Sequence, residues 1–265
     1  MVNIKFKGFW VFVVLIAISN NTYSSLNDKG IIASVVDACA ESKPVYLWEK
    51  YVQMPINRSL TSLIGIGEAL ASEEYQLLGK EAQNALGIPE DKQIAIRKID
   101  PTNIMIEVIP VAFSMPEAIY FNEKNLKDKP FGIKRCAAFV EAVRKKYNQA
   151  GAQSLISVGT LITMCTLIYK ATRLERNNLI KAIAIIGTII GGGLVSKSCL
   201  RYFTYRAEVE GHYATKCYLC VQESAAFREH ESINNPYALS KVILDEIAQD
   251  LKNQEQLCSC HKNNQ

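Results

Sequence analysis

Two strongly apolar segments decide the architecture of this chain: LISVGTLITMCTLIY (155–169) and LIKAIAIIGTIIGGGLV (179–195). The polar turn KATRLERNN (170–178) joins them and holds three basic residues and one acid, as a cytoplasmic turn does. Each segment approaches the roughly 20 residues that a helix needs to cross a bilayer. The sequence therefore predicts a transmembrane helical hairpin within residues 151–197. The alternative is a helical hairpin buried in a soluble core, and the glycines at 191–193 suit close helix packing in either setting.

The first residues have the composition of an export signal. Lys5 and Lys7 precede an apolar run at 9–18, and small polar residues follow at 22–25. This order characterises a secretory signal, so we expect residues 1–24 to be a signal peptide that is removed after export. An uncleaved anchor helix is the alternative. With the signal removed, the regions on both sides of the hairpin are expected on the extracytoplasmic side of the membrane.

Composition excludes some classes of function. The net charge of +4 results from 30 basic and 26 acidic residues, and no basic stripe interleaves with aromatic residues. Nucleic acid is therefore not an expected partner. A hydrophobic content of 49% is ample for a packed core and for membrane-buried surface.

The chain around the hairpin is predicted to be mainly helical, with a small sheet in the N-terminal part. Residues 25–150 combine helical patterns with three strand candidates, which we expect to form an antiparallel sheet. Residues 198–265 read as helices only. The overall expectation is an α+β fold that is mainly helical. The predicted helices are 29–41, 59–86 (continuous or broken near 71–72), 132–148, 207–228 and 236–257, and the predicted strands are 93–99, part of 103–113, and 118–121.

Several short motifs follow one another in a recognisable order. The strand AIYF (118–121) precedes a helix that contains FVEAVR (139–144), and RAEVEGH (206–212) follows the hairpin. This order resembles that of the HtpX-like and CAAX-prenyl-protease-like membrane zinc metallopeptidases. In them a strand precedes an HExxH helix, membrane helices follow, and a later helix carries ExxAD. The resemblance covers roughly residues 73–228 and implies a metalloprotease-like helical core beside the small sheet.

The resemblance also implies a role for each motif residue. Glu141 matches the catalytic base and Glu208 matches the third zinc ligand, whereas Val140 and Arg144 stand where the two histidines belong. His212 takes the position of the aspartate that supports a ligand from behind. Valine has no lone pair, and arginine keeps its proton, so neither can bind zinc. We therefore expect no metal cofactor and no zinc-dependent peptide hydrolysis.

Arg144 offers a replacement for the missing cation. Two partly buried carboxylates without compensation are costly, and Arg144 lies three residues from Glu141 on one helix face. We predict that Arg144 pairs with Glu141, Glu208 or both. An atypical metal site that uses Glu141, Glu208 and His212 is the alternative, although nothing recreates the second imidazole.

Two cysteine pairs lie near the C-terminus. They are Cys217 with Cys220, and Cys258 with Cys260. In an exported chain they favour disulfides, with a structural zinc site as the alternative. Either bond would tie the C-terminal helix to the ExxAD-like helix. Cys165, inside an apolar segment, is expected to be a packed hydrophobic residue.

Three functions remain open at this point. The first is a membrane-anchored, catalytically inactive relative of the metallopeptidases that binds protein segments. In the family, substrate adds to the sheet edge beside the metal helix, and the resemblance assigns that edge to Ala118, Ile119, Tyr120 and Phe121. The second is a weakly active metallopeptidase that uses Glu141 and Glu208. The third is a structural membrane domain without a groove.

Overall fold

The computed structural model describes residues 42–56, 69–99, 111–173, 178–231 and 239–254. Within them the chain forms eight α-helices and three strands. The predicted signal peptide 1–24, the predicted helix 29–41, the first part of the predicted helix 59–86, most of the predicted strand region 103–113 and the second cysteine pair lie outside the described residues. In chain order the elements are α1 (Lys43–Trp48, continued by a wider helical turn, Glu49–Gln53), α2 (Glu73–Ala85), β1 (Ala95–Lys98), β2 (Ala112–Ser114), β3 (Ala118–Phe121), α3 (Glu123–Leu126), α4 (Phe131–Lys146), α5 (Gln149–Thr172), α6 (Asn178–Ala214), α7 (Tyr218–Glu231) and α8 (Lys241–Asn253).

The two apolar segments form the long helices α5 and α6, which pack against each other as a hairpin. Both are long and apolar enough to cross a membrane, with mean hydropathies of 1.5 and 2.0 over their most apolar windows. Only 17% and 6% of those windows are buried inside the protein. A hairpin in a soluble core would be mostly buried, so the exposed apolar surface favours the membrane alternative. Cys165 is exposed on this surface, and the prediction that it packs in the interior is wrong.

The small sheet is mixed, and the prediction of an antiparallel sheet is wrong. The strand order is β1-β3-β2, in which β3 runs parallel to β1 and antiparallel to β2. All four residues of β3 are buried. The helix α3 and the polar turn before α4 separate β3 from the next long helix, and the Asn122 side chain caps α3 by accepting a hydrogen bond from the backbone of Asn125.

Helix α4 is the centre of the molecule. It carries small and apolar residues on every side, so three neighbours can pack against it at once. Phe139 belongs to the core shared with the sheet and α2, Val143 contacts α6, and Cys136 faces α7 and α8. This packing places the FVEAVR motif inside the protein.

The C-terminal helices fold back over α4. We predict one helix from 207 to 228, and this prediction is wrong, because α6 ends at Ala214 and α7 begins at Tyr218. Lys216 adopts a positive φ of 49° at the break, a backbone conformation that ends a helix. The chain reverses there, and α7 returns alongside α4 and α8. Helix α8 begins after Ser240, whose side chain accepts from the Ile243 backbone, and it buries Leu244, Ile247, Ala248 and Leu251.

Candidate functional site

The two motif helices cross at Val140 and Gly211. A Cβ atom added to Gly211 would lie 2.7 Å from the Val140 Cα and 2.8 Å from its backbone nitrogen. Real Cβ contacts do not come this close, so only glycine permits this approach of α6 to α4. Val140 and Ala207 share one small apolar cluster at the crossing. The crossing brings the helix faces that carry Glu141 and Glu208 together.

Glu141 is a buried acid with an arginine partner. Its side chain is 4% exposed, and its Oε1 lies 3.0 Å from Nη1 of Arg144. The prediction that Arg144 pairs with Glu141 is confirmed. The other carboxylate oxygen, Oε2, is buried and has no hydrogen-bond partner within the described residues. Burial raises the pKa of Glu141, and the nearby charge of Glu208 raises it further. The charge of Arg144 and the hydrogen bonds of Ser114 in β2 lower the same pKa in part.

Glu208 is also buried, and its partners come from the C-terminal region. Oε1 accepts a hydrogen bond of 3.0 Å from Nη2 of Arg228 in α7. Oε2 accepts one of 2.8 Å from the backbone N–H of Leu239, just before α8. Both oxygens are therefore engaged. Arg228 could not be predicted from the sequence, because twenty residues and a chain reversal separate it from Glu208 and no local spacing indicates the contact.

His212 is a buried structural residue that links α6 to α7. It is 1% exposed, its Nδ1 lies 2.6 Å from the Glu208 carbonyl oxygen, and its Nε2 lies 3.1 Å from Oγ of Ser224. A carbonyl only accepts, so Nδ1 carries the proton and Nε2 accepts from the serine hydroxyl. Burial lowers the pKa of His212, which favours this neutral form.

The donor set at the crossing does not fit a zinc ion. Val140 and Arg144 offer no lone pair, both Glu208 oxygens are engaged, and both ring nitrogens of His212 are engaged. No group of three or more His, Cys, Asp or Glu side chains that could hold a metal lies within the described residues. The guanidinium groups of Arg144 and Arg228 lie beside the two acids and supply the positive charge there.

The substrate-edge assignment to Ala118, Ile119, Tyr120 and Phe121 is wrong. These residues form β3, which pairs with β1 on one side and β2 on the other and has no free edge. Residues 69–71 bond to the outer side of β1 through the backbone. Among the described residues, the outer side of β2 carries no paired strand. It is also the strand beside α4, because Ser114 lies against Glu141.

The first cysteine pair is buried between α4 and α7. Cys217 is half of a disulfide, and its predicted partners Cys258 and Cys260 lie outside the described residues. A sulfur in a disulfide is not a thiolate ligand, so this bond argues against the zinc alternative. Cys136 and Cys220 are thiols, so the prediction that Cys220 takes part in a disulfide is wrong, and burial raises the pKa of both thiols. The Arg135 guanidinium lies beside them, where it donates to the Thr215 carbonyl at 2.9 Å and contacts the Cys220 sulfur at 3.8 Å.

No protein-family model, curated protein or solved structure matches this chain.

Proposed function

We propose that this chain is a membrane-anchored, non-catalytic relative of the zinc metallopeptidases that binds an extended segment of a partner protein along the outer edge of β2. The hairpin of α5 and α6 holds it in the membrane, with the folded domain on the extracytoplasmic side. The pairing of both motif acids with arginines carries the proposal. Glu141 with Arg144 and Glu208 with Arg228 each balance a buried carboxylate without a metal.

The geometry of β2 supports strand addition. The Met115 N–H donates to the Ala118 carbonyl of β3, and the Val111 carbonyl accepts from the N–H of Asn122 directly after β3. In an antiparallel ladder, residues that bond to the neighbouring strand alternate with residues that point away from it. The backbone groups of Ala112 and Ser114 therefore point away from β3. The Ser114 N–H already donates to the Glu141 carboxyl group, so a peptide that pairs with β2 would bond to the Ala112 backbone groups and the Ser114 carbonyl. Its main-chain bonds would supply affinity without any metal.

Glu141 gives this edge an additional acceptor. Its Oε2 atom is buried and unpartnered within the described residues, and the Ser114 side of β2 lies against the same carboxyl group. Buried acceptors in folded proteins almost always have a donor. A backbone N–H of an added strand is a donor of the right kind. The acid that serves as a base in the metallopeptidases would here hold a peptide in place.

Binding of extended peptides tests the proposal. The probes are fluorescent ten-residue peptides rich in valine, isoleucine and threonine, each with a counterpart that carries prolines at alternate positions. Fluorescence anisotropy should show binding of the first set and not of the second, because proline removes main-chain donors. Binding should not require zinc.

Two variants at one position make the test specific. Ala112→Pro removes an outward N–H of β2, while Ala112→Val adds comparable bulk and keeps it. We expect Ala112→Pro to weaken peptide binding at least tenfold and Ala112→Val to preserve it. Equal binding by both variants would exclude the β2 edge. Zinc bound at one ion per chain, with peptide cleavage that a chelator abolishes, would instead establish the peptidase alternative.

A further inference from the structure

A cavity lies where the folded domain meets the hairpin. It has a volume of about 430 Å³, and α1, the start of α5 and the middle of α6 enclose it. Apolar side chains and polar groups share its lining, with Gln53, Ser154, Ser157, Ser196, Lys197 and Leu200 among them. On α5 and α6 these residues flank the apolar segments 155–169 and 179–195. The cavity therefore lies at one end of the expected membrane span.

Helix α1 has the character of a helix at a membrane surface. The exposed side chains of α1 and of the residues directly after it include Tyr46, Leu47, Tyr51 and Ile56, which are 41–65% exposed. Aromatic residues of this kind concentrate at the boundary between lipid and water. The exposed apolar face is explained if α1 lies in that boundary.

Two contacts hold α1 against the start of α5 and the end of α4. Nε1 of Trp48 donates to Oγ of Ser154 at 3.0 Å, and Glu49, 4% exposed, pairs with Lys145 at 3.0 Å. Val45 and Glu49 also pack against Gly151 of α5. The depth of α1 is therefore set by the hairpin, and the cavity behind it is part of the fold.

The cavity lining suits one kind of molecule. Three serine hydroxyls and the Lys197 ammonium group can bind a phosphate, and Ile156 and Leu200 continue towards the apolar segments, where an acyl chain would lie. Lys197 is the charged residue of the lining. Gln53 adds a buried Oε1 atom that has no hydrogen-bond partner within the described residues and can accept from a headgroup hydroxyl.

We infer that this cavity is a binding site for the headgroup of an anionic glycerophospholipid from the surrounding bilayer. The site would fix the domain at a defined height and angle above the membrane. This role is independent of peptide binding at β2. It depends on the hairpin crossing the bilayer.

Matched lysine variants test the site. Lys197→Gln and Lys181→Gln remove the same charge from α6, but Lys181 lies at the opposite end of the apolar segment. Each full-length variant is reconstituted in nanodiscs of phosphatidylcholine with a minor share of phosphatidylglycerol. The protein is then released from the nanodiscs, and the phosphatidylglycerol that stays bound to it is measured by native mass spectrometry. We expect about fivefold less retained lipid for Lys197→Gln and no change for Lys181→Gln, since one lysine near an anionic surface contributes a factor of that order.

Fluorescence of Trp48 gives a second readout that needs no change in the cavity. The chain has two tryptophans, so a Trp10→Phe background leaves Trp48 as the single reporter beside Ser154. Phosphatidylglycerol with brominated chains should quench it more strongly than brominated phosphatidylcholine, and inorganic phosphate at millimolar concentration should not compete.

Three results would overturn the inference. They are equal lipid loss in the two lysine variants, equal quenching by the two brominated lipids, and displacement of the lipid by inorganic phosphate. If alkaline carbonate extracted the protein from membranes, the result would contradict both the membrane span and this lipid site. It would not bear on peptide binding at β2, which the Ala112 variants test separately.

Discussion

Gly211 of α6 lies directly against the backbone of Val140 in α4. The contact is so close that a Cβ atom on Gly211 would lie 2.7 Å from the Val140 Cα. Backbone packs against backbone here, and a valine fills the remaining space. The crossing is therefore a structural contact that holds two buried acids near each other.

Replacement of Gly211 by alanine should separate the two helices. We expect Gly211→Ala to lower the free energy of unfolding by about 1–3 kcal/mol, because the neighbouring atoms belong to a rigid backbone. Chemical unfolding in detergent would measure it. Gly193→Ala on the same helix is the control, since nothing lies within 4 Å of its Cβ position. Equal effects of the two substitutions would show that the crossing is not tight.

The pair of Glu208 and Arg228 should behave as a coupled unit. Arg228→Met leaves the Glu208 carboxylate, 3% exposed, without its cation, and we expect a loss of about 2–4 kcal/mol. Glu208→Gln in the same chain should recover part of this loss, because an amide oxygen still accepts from the Leu239 N–H. A double-mutant cycle of unfolding free energies measures the coupling. Additive effects would contradict the contact.

Glu141 should make the protein less stable as the pH rises above the ordinary range of a glutamate. Its pKa is raised from an ordinary value of 4.5, so the folded chain keeps a proton that the unfolded chain has released. Stability then falls as the pH rises between the ordinary and the raised value. Glu141→Gln cannot titrate and should lack this fall. Unfolding free energies of both proteins between pH 4 and pH 8 test it, and parallel profiles would exclude a raised pKa.

His212 should have the opposite effect on acidification. Its pKa is lowered from an ordinary value of 6.5, so below that pH the unfolded chain binds a proton that the folded chain refuses. Stability is complete above the ordinary value and is lost as the pH falls, by at most about 1.4 kcal/mol per pH unit. His212→Gln should remove this component. Thermal unfolding at pH 5 and pH 7.5 would measure it, with a variant of His261 as the control histidine; a loss that survives His212→Gln would contradict the assignment.

Cys165 reports whether the hairpin crosses a membrane. It is an exposed thiol in the middle of α5, whereas Cys136 and Cys220 are buried in the domain. In intact membranes a lipid-soluble maleimide should label Cys165, and a charged, impermeant maleimide should not. Both reagents should label it in denaturant. Rapid labelling by the charged reagent in membranes would place α5 in water.

Local patterns predicted much of the secondary structure. The helix expected at 132–148 is α4 at 131–146, and the strands expected at 93–99 and 118–121 contain β1 and β3. The Arg144–Glu141 pair was also predictable, because residues three apart on a helix face each other. These features depend on interactions between residues that are close in sequence.

Features that depend on distant contacts were mispredicted or missed. The short apolar run of β3 carries no information on which strands flank it, so its central position and its parallel pairing with β1 could not be inferred. The break at Lys216 was missed because no glycine or proline marks it. Arg228 and Leu239 reach Glu208 only because the chain reverses at that break.

The apolar hairpin, the central helix and the presence of valine and arginine at positions 140 and 144 follow from the sequence alone, since hydropathy, helical periodicity and side-chain chemistry are properties of local residues. Tertiary contacts determine how the acids are neutralised, which strand lies beside α4, and where the two motif helices meet at a glycine. A buried carboxylate must find a cation or donors, and which groups supply them depends on how α6, α7 and α8 pack around α4.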